Sequence, residues 1–150
     1  AAYGNYLPKR FLAIPKYGTI NIHPSLLPKY RGAAPVQRCL EQGDQETGVS
    51  VLYTVTKMDA GPIIKQIRLP LKGDEKATPL LEHLFIEGTN HLLDVLPKVF
   101  SSEITMTKNV TVQDDSQATH APKIESNQSL IYFDQIASKI IHNRCRGFDG

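Results

Sequence analysis

The sequence predicts an α/β fold in which a mixed sheet is flanked by helices. Residues 19–23 and 49–55 show the alternation of side chains that is typical of strands, and a helix is predicted between them at 33–42. A third apolar segment covers 62–69, and a long amphipathic helix covers 78–100. Strands and helices that alternate in this way are typical of α/β domains, so we expect one such domain or a large part of one.

The order of the first elements sets the expected strand directions. Ile20 and Ile22 alternate with a polar residue and indicate the first strand. The helix over 33–42 has Pro35 in its first turn and Gly43 just beyond its end, where these residues are favoured. A strand, a helix and a strand in this order predict a parallel pair with a right-handed crossover. The loop before the third strand is too short for such a crossover, so that strand should run antiparallel to the second.

The second half of the chain is predicted to be helical on either side of one polar segment. Thr78 is the expected N-cap of the long helix, with Pro79 at its first position. Residues 101–128 are polar and lack sustained periodicity, and a loop of this length is unusual inside a compact domain. We therefore expect these residues to form a linker arm, followed by a last helix at about 133–145.

The bulk composition excludes several classes of protein. The chain has 150 residues, 41% of them hydrophobic and 21% charged, as is ordinary for a soluble globular protein. A net charge of +2 is too small to indicate nucleic-acid binding by itself, and no apolar run approaches the ~20 residues of a membrane span. Cys39 and Cys145 fit no metal or redox spacing and are expected to pack as small apolar residues. His83 and His91 lack a third ligand, so we predict no metal site.

Three polar residues at strand ends are the candidate catalytic group. Asn21 and His23 face the same way in a period-2 strand, and a turn rich in Pro and Gly follows them. Asp59 lies in the loop after the next strand. Ligands of open α/β sheets bind beyond the carboxyl ends of the strands, so an amide, an imidazole and a carboxylate there fit acyl-type chemistry. Each residue also has a plainer interpretation: Asn21 and Asp59 suit turns, and His23 could be a buried structural histidine.

A basic cluster lies in the first forty residues, and Arg31 is one of its members. Arg31 could be part of a solvated loop, or its guanidinium could bind a phosphate or carboxylate of a ligand. Gly32 would then supply backbone freedom at a tight turn. The cluster as a whole is either a solvated face or a surface that attracts phosphate around the site, and it comprises Lys9, Arg10, Lys16, Lys29, Arg31 and Arg38.

The segment 21–28, Asn-Ile-His-Pro-Ser-Leu-Leu-Pro, resembles the signature of the 10-formyltetrahydrofolate-dependent formyltransferases. Residues 58–63, Met-Asp-Ala-Gly-Pro-Ile, resemble the second signature of that family, and Thr-Gly-Val at 47–49 stands at its strand entry. These motifs are shared by glycinamide ribonucleotide and sugar-nucleotide formyltransferases and by formyltetrahydrofolate deformylase. The segments 29–38 and 113–124 are similar to the members that formylate methionyl-tRNA.

The resemblance implies a Rossmann-like formyltransferase fold of which this chain is a part. Residues 1–100 would be the C-terminal part of the catalytic domain and 101–128 a linker arm. Residues 129–150 would carry a final helix that leads toward an absent C-terminal barrel domain. The first strands of the catalytic domain would also be absent, because the chain opens on Ala-Ala-Tyr-Gly, which resembles the end of a strand.

The resemblance further implies transfer of a formyl group from 10-formyltetrahydrofolate to the amino group of initiator methionyl-tRNA. Asn21 would donate an N–H to the formyl oxygen, and a protonated His23, favoured by the charge of Asp59, would donate to the same oxygen. Asp59 could also accept the amine proton directly or through water. Arg31 would meet the phosphates or ribose of the tRNA. The residues implied in folate binding are Tyr6, Leu7, Ser25, Leu26, Leu27, Pro28 and Met58.

Alternative functions stay open at this point. A deformylase would use water as the acceptor with the same catalytic residues, and another folate-dependent formyltransferase would use a different amine. A binding-only, inactive fragment is a further alternative. We expect a monomer that needs no metal and no membrane. The resemblance places it in the bacterial cytoplasm, or in a mitochondrion or plastid if the source is a eukaryote.

Overall fold

The structure is a computed structural model that describes residues 7–130 and 136–148. Strands β1 (Ile20–His23), β2 (Glu46–Tyr53) and β3 (Ile63–Pro70) form one sheet in that order. The helices are α1 (Lys9–Leu12), α2 (Pro35–Gln42), α3 (Ala77–Phe100) and α4 (Ser138–Gly147), with short 3-10 turns at Asp115–Gln117 and Ser126–Ser129. The predicted class, a sheet flanked by helices, is confirmed.

The direction of β2 differs from the prediction. β1 and β2 pair antiparallel, with Ile20 opposite Tyr53 and His23 opposite Ser50, so the predicted parallel pair is wrong. Helix α2 packs chiefly against α3 and α4 and does not carry the chain back across the sheet. The chain therefore enters β2 beyond the carboxyl end of β1 and runs back beside it. The antiparallel pairing of β2 with β3 is confirmed.

Helix α3 covers one face of the sheet. Leu84 and Val99 are fully or nearly fully buried on its inner side. A Cβ at Gly88 would lie 2.4 Å from Cγ2 of Ile22 and 2.8 Å from Cγ2 of Val49, so only glycine permits this close approach of helix and sheet. The opposite face of the sheet carries a smaller apolar cluster, made of Leu27, Leu52 and Ile63.

Two local predictions about α3 and the cysteines need correction. The helix begins two residues earlier than predicted, because its N-cap is Lys76 and Thr78 lies inside the first turn. Cys39 is buried as expected, and burial raises the pKa of its thiol to about 11. Cys145 is exposed, so the prediction that both cysteines pack inside is wrong for this one.

The segment predicted as an arm contacts the body along much of its length. Ile104 is buried in the same cluster as Val51 and Val95, and Thr111 forms an antiparallel bridge with Ile63. Ala121 is fully buried. The continuation of residues 101–128 as an arm toward a second domain stays a prediction.

The last helix, α4, packs against α2. Arg146 Nη2 donates to the carbonyl oxygen of Leu40 at 3.4 Å. The start predicted for this helix, at 133–135, lies outside the described residues. Across residues 7–130 and 136–148, no helix combines the length and the apolar character that a membrane crossing requires.

Candidate active site

The alternation along β1 separates its buried face from the candidate site. Ile22 points to α3, so its neighbours Asn21 and His23 lie on the other face of the sheet. His23 is buried and Asn21 is half-buried. Among the described residues, none forms a hydrogen bond with the Asn21 side chain.

The imidazole of His23 is oriented by one backbone contact. Its Nε2 lies 2.9 Å from the carbonyl oxygen of Tyr30. A carbonyl only accepts hydrogen bonds, so Nε2 must carry the hydrogen. The other nitrogen, Nδ1, lies 3.7 Å from Oδ2 of Asp59. Nδ1 is therefore the nitrogen that faces the carboxylate.

Asp59 is held by its backbone and by its side chain. It has a φ of 48°, a left-handed conformation that Asp tolerates better than most residues. Its Oδ2 accepts a hydrogen bond of 2.9 Å from the backbone N–H of Gly32. Gly32 has a φ of 128°, and a Cβ there would lie 2.7 Å from the carbonyl oxygen of Ala121. The position of the carboxylate thus depends on a glycine in the loop after β1.

The loop after β1 is fixed to the sheet by two polar side chains that the sequence analysis missed. Ser50 Oγ donates to the carbonyl oxygen of Ser25 at 2.7 Å and accepts from the N–H of Leu27 at 3.3 Å. Gln66 Nε2 donates to the carbonyl oxygen of Leu27 and to Ser50 Oγ, both at 2.9 Å. The Leu27–Pro28 peptide bond, which carries the anchored carbonyl of Leu27, is cis. Opposition of Ser50 and Gln66 in neighbouring strands is the only signal that could have identified them.

The residues predicted to bind folate differ in their exposure. Tyr6 lies outside the described residues, and Leu7 is half-buried. Ser25 and Leu27 are buried, and Ser25 Oγ donates to the carbonyl oxygen of Lys29 at 2.7 Å. Met58 is 60% exposed beside Asp59.

Leu26 and Pro28 line a cavity of about 190 Å³ that Asn21, His23 and Asp59 do not line. All seven folate-binding assignments stay predictions.

The placement of the Arg31 side chain differs from that expected for a residue that contacts tRNA. Its side chain is only 2% exposed. Nε and Nη2 donate to Oε1 of Gln113 at 3.0 and 2.7 Å, and Nη1 donates to Oδ1 of Asp115 at 2.8 Å. The guanidinium is therefore committed to partners within the chain and is not offered to a phosphate in solvent. Hydrogen bonds from Lys57 and then from Arg31 lower the pKa of Asp115.

A second polar group borders the cavity beside Leu26. Tyr30, which has a φ of 62°, donates its hydroxyl to Oδ2 of Asp44 at 2.9 Å. Burial, followed by this hydrogen bond to Asp44, raises the pKa of Tyr30 far above its usual range, so its hydroxyl remains a donor. In the described part of the chain, no group of three or more His, Cys, Asp or Glu side chains could hold a metal ion.

The fold is that of the formyl transferases. Residues 1–96, more than half of the chain, match the Formyl transferase family. The chain belongs to that family.

Relatives within the family carry a more particular name. The methionyl-tRNA formyltransferase of Macrococcus caseolyticus is 40% identical over 147 residues, which are 98% of this chain and 46% of the relative. That of Limosilactobacillus fermentum is 45% identical over 140 residues, 93% of this chain and 43% of the relative. The chain thus spans less than half the length of these relatives.

Solved structures support the fold. WlaRD, a sugar 3N-formyltransferase crystallised with dTDP and 5-N-formyl-THF, has a TM-score of 0.75 at 22% identity, over 86% of this chain and 46% of that one. HypX from Aquifex aeolicus in complex with tetrahydrofolic acid has a TM-score of 0.70 at 18% identity, over 87% of this chain and 22% of that one. At these identities the likeness concerns the fold alone.

Proposed function

We propose that the protein containing this chain transfers a formyl group from 10-formyltetrahydrofolate to the amino group of initiator methionyl-tRNA. The observation that carries the proposal is the approach of His23 Nδ1 to Asp59 Oδ2, 3.7 Å, on the sheet face that also presents the Asn21 amide. The choice of acceptor is supported by the relatives at about 40% identity, which formylate methionyl-tRNA by name.

The reaction forms one C–N bond and breaks another. The nitrogen of the amino acceptor attacks the formyl carbon, and a tetrahedral oxyanion develops before the bond to N10 of the folate breaks. Asn21 is proposed to donate an amide N–H to that oxygen. A donor of this kind contributes about 3 kcal/mol to transition-state stabilisation in related acyl chemistry.

His23 and Asp59 are proposed to handle the protons. His23 Nε2 already donates to Tyr30, so only a protonated Nδ1 can donate to the oxyanion. Asp59 accepts the proton that the attacking amine loses, directly or through one water. As the C–N bond breaks, Asp59 returns that proton to N10 of the folate, directly or through one water. Nothing in this scheme needs a covalent intermediate or a metal.

The folate is proposed to lie beside the loop that carries Asp59. Met58 exposes an apolar side chain there, and Leu7, Leu26 and Pro28 are half-buried members of the predicted set. Leu26 and Pro28 remain candidates from the loop after β1. Residues 101–128 are proposed to continue as an arm to a second domain, with the final helix of 129–150 leading toward it.

We infer a monomer that acts in the bacterial cytoplasm. The inferred compartment follows from the bacterial sources of the relatives.

A comparison of different acceptors in separate reactions tests the proposal. The full-length protein is incubated with 10-formyltetrahydrofolate and, in separate reactions, with methionyl-tRNA, with an amino-sugar nucleotide, or with buffer alone. We expect formyl-methionyl-tRNA to form and formate release in buffer to be at least about 100-fold slower, the scale of a missing oriented acceptor. Rapid formate release without an amine would indicate a deformylase, and formylation of the sugar alone would change the acceptor. The 150-residue chain, assayed in parallel, tests the binding-only alternative.

A further inference from the structure

A segment far along the chain lies against both loops of the candidate site. Thr111 and Ile63 exchange two backbone hydrogen bonds of 2.8 Å, just after the loop that carries Asp59. Arg31, in the loop after β1, forms a parallel bridge with His120. The segment 111–121 therefore joins the two loops that meet at the site.

One side chain in this segment makes the direct connection. Gln113 Nε2 donates to the carbonyl oxygens of Asp59 at 2.8 Å and of Gly61 at 2.7 Å. Its Oε1 accepts two hydrogen bonds from the guanidinium of Arg31. Both amide hydrogens and the amide oxygen are thus used, and each is used for a site loop.

These contacts constrain Asp59 at two points. Its main chain has a positive φ, which needs support from its surroundings, and Gln113 binds the carbonyl of that residue. Its carboxylate is held by the N–H of Gly32, the residue next to Arg31. Gln113 joins the two supports, because it forms hydrogen bonds both to the Asp59 backbone and to the Arg31 side chain.

Arg31 is itself anchored and so gives Gln113 a fixed partner. Asp115 accepts hydrogen bonds from Arg31 and from Lys57, which belongs to the Asp59 loop. Arg31 also donates its backbone N–H to the carbonyl oxygen of Thr119 at 2.9 Å. The side chains of Gln113, Arg31, Asp115 and Lys57 therefore form a continuous series of hydrogen bonds.

We propose that Gln113 is a positioning residue that sets the placement of the Asp59 carboxylate relative to His23, with Arg31 as its anchor. This rests on the proposed function, since only a carboxylate with a chemical role needs such placement. Gln113 does not touch the reacting atoms, so its removal should slow the chemical step and leave binding of both substrates nearly unchanged.

Gln113→Glu in the full-length protein separates the two halves of the connection. The carboxylate still accepts from Arg31, but it has no hydrogens for the carbonyls of Asp59 and Gly61. We expect kcat for formyl transfer to fall about 10- to 100-fold, as for a misplaced catalytic group, with either KM changed less than about threefold. Gln45→Glu is the matched control, because its amide also donates to a backbone carbonyl, that of Gly43, but does not contact the site.

A double-mutant cycle gives a readout that a general loss of stability would not produce. If Gln113 acts through Asp59, Gln113→Glu should reduce kcat by less than about twofold in the Asp59→Asn background. Gln113→Met, which keeps the length and removes all four hydrogen bonds, is judged by the same criteria if the Glu variant does not fold.

Two results overturn the inference while leaving the proposed function in place. One is a normal kcat for Gln113 variants when Asp59→Asn is inactive. The other is a full, independent effect of Gln113→Glu in the Asp59→Asn background. Normal turnover of Asp59→Asn is a different outcome, because it removes the role of Asp59 and overturns the inference with it.

Discussion

Replacement of Asp59 by Asn tests the chemistry of the site with the least disturbance of the fold. The amide oxygen of Asn can still accept the hydrogen bond that Gly32 donates to Asp59 at 2.9 Å. Exchange of a charged acceptor for a neutral one there should cost about 1 kcal/mol in the free energy of unfolding. For a chain of 150 residues that lowers Tm by roughly 2–4 °C.

The same change removes both proposed functions of the carboxylate. Asn cannot accept the amine proton, and its oxygen, which takes the place of Oδ2 beside both Gly32 and His23 Nδ1, carries no negative charge. A neutral oxygen stabilises a charged Nδ1–H less than a carboxylate does, so the donor proposed for the oxyanion is weakened. We expect kcat/KM to fall about 10²–10⁴-fold, equivalent to roughly 2.7–5.4 kcal/mol of transition-state stabilisation.

The assay is single-turnover formyl transfer to methionyl-tRNA, with the melting temperature measured on the same preparations. Asp74→Asn, at an exposed position away from the site, is the matched control for the loss of one negative charge. Activity of Asp59→Asn within about threefold of the unmodified protein would refute the acid–base role. A drop in Tm much larger than that expected for one hydrogen bond would mean that the substitution perturbs the fold, and the histidine contact would then need another test.

Three further outcomes follow from the structure. Gly32→Ala should lower the free energy of unfolding by about 2–4 kcal/mol in a denaturation experiment. An alanine is strained at a φ of 128°, and its Cβ would lie only 2.7 Å from a backbone oxygen. An unchanged midpoint would contradict this geometry. Iodoacetamide at pH 8 should label Cys145 quickly and leave Cys39 unlabelled until the chain unfolds, because Cys39 is buried and has a pKa raised to about 11; equal rates would be inconsistent with that burial. The hydrogen bond from Lys57 lowers the pKa of Asp115 below its unfolded value, so the contribution of this carboxylate to stability is present at neutral pH and is lost as the pH falls through the folded pKa. Asp115→Asn should therefore flatten the acid limb of the curve of unfolding free energy against pH. A curve of unchanged slope would argue against the ion pair.

Local patterns were sufficient for the elements and for the local geometry of the candidate catalytic residues. The period-2 alternation of β1 predicts that Asn21 and His23 share a face, and the pairing with β2 bears this out. The motif around Asp59 predicts a tight turn, and its positive φ agrees. These features depend on residues close together in sequence, for which patterns of spacing carry information.

Contacts between distant parts of the chain were not predictable in this way. The direction of β2 depends on how α2 packs against α3 and α4, which no periodicity within α2 specifies. The burial and pairing of the Arg31 side chain depend on Gln113, which is 82 residues further along the chain. An arginine in a polar loop has the same local pattern whether it is solvated or buried, so only the tertiary structure distinguishes the two.

This difference explains why the supports of the candidate site were missed when its candidate catalytic residues were predicted. His23 and Asp59 lie in short motifs with distinctive turn chemistry, whereas Ser50, Gln66 and Gln113 are ordinary polar residues whose partners are mostly backbone carbonyls and amides. A backbone partner leaves no mark in the sequence, because any residue can supply it. The placement of the carboxylate nevertheless depends on such contacts, since a hydrogen bond to the main chain fixes a loop that side-chain pairs alone would leave free to shift. Substitution of these residues should therefore affect kcat more than binding, although none of them touches the reacting atoms in the proposed mechanism.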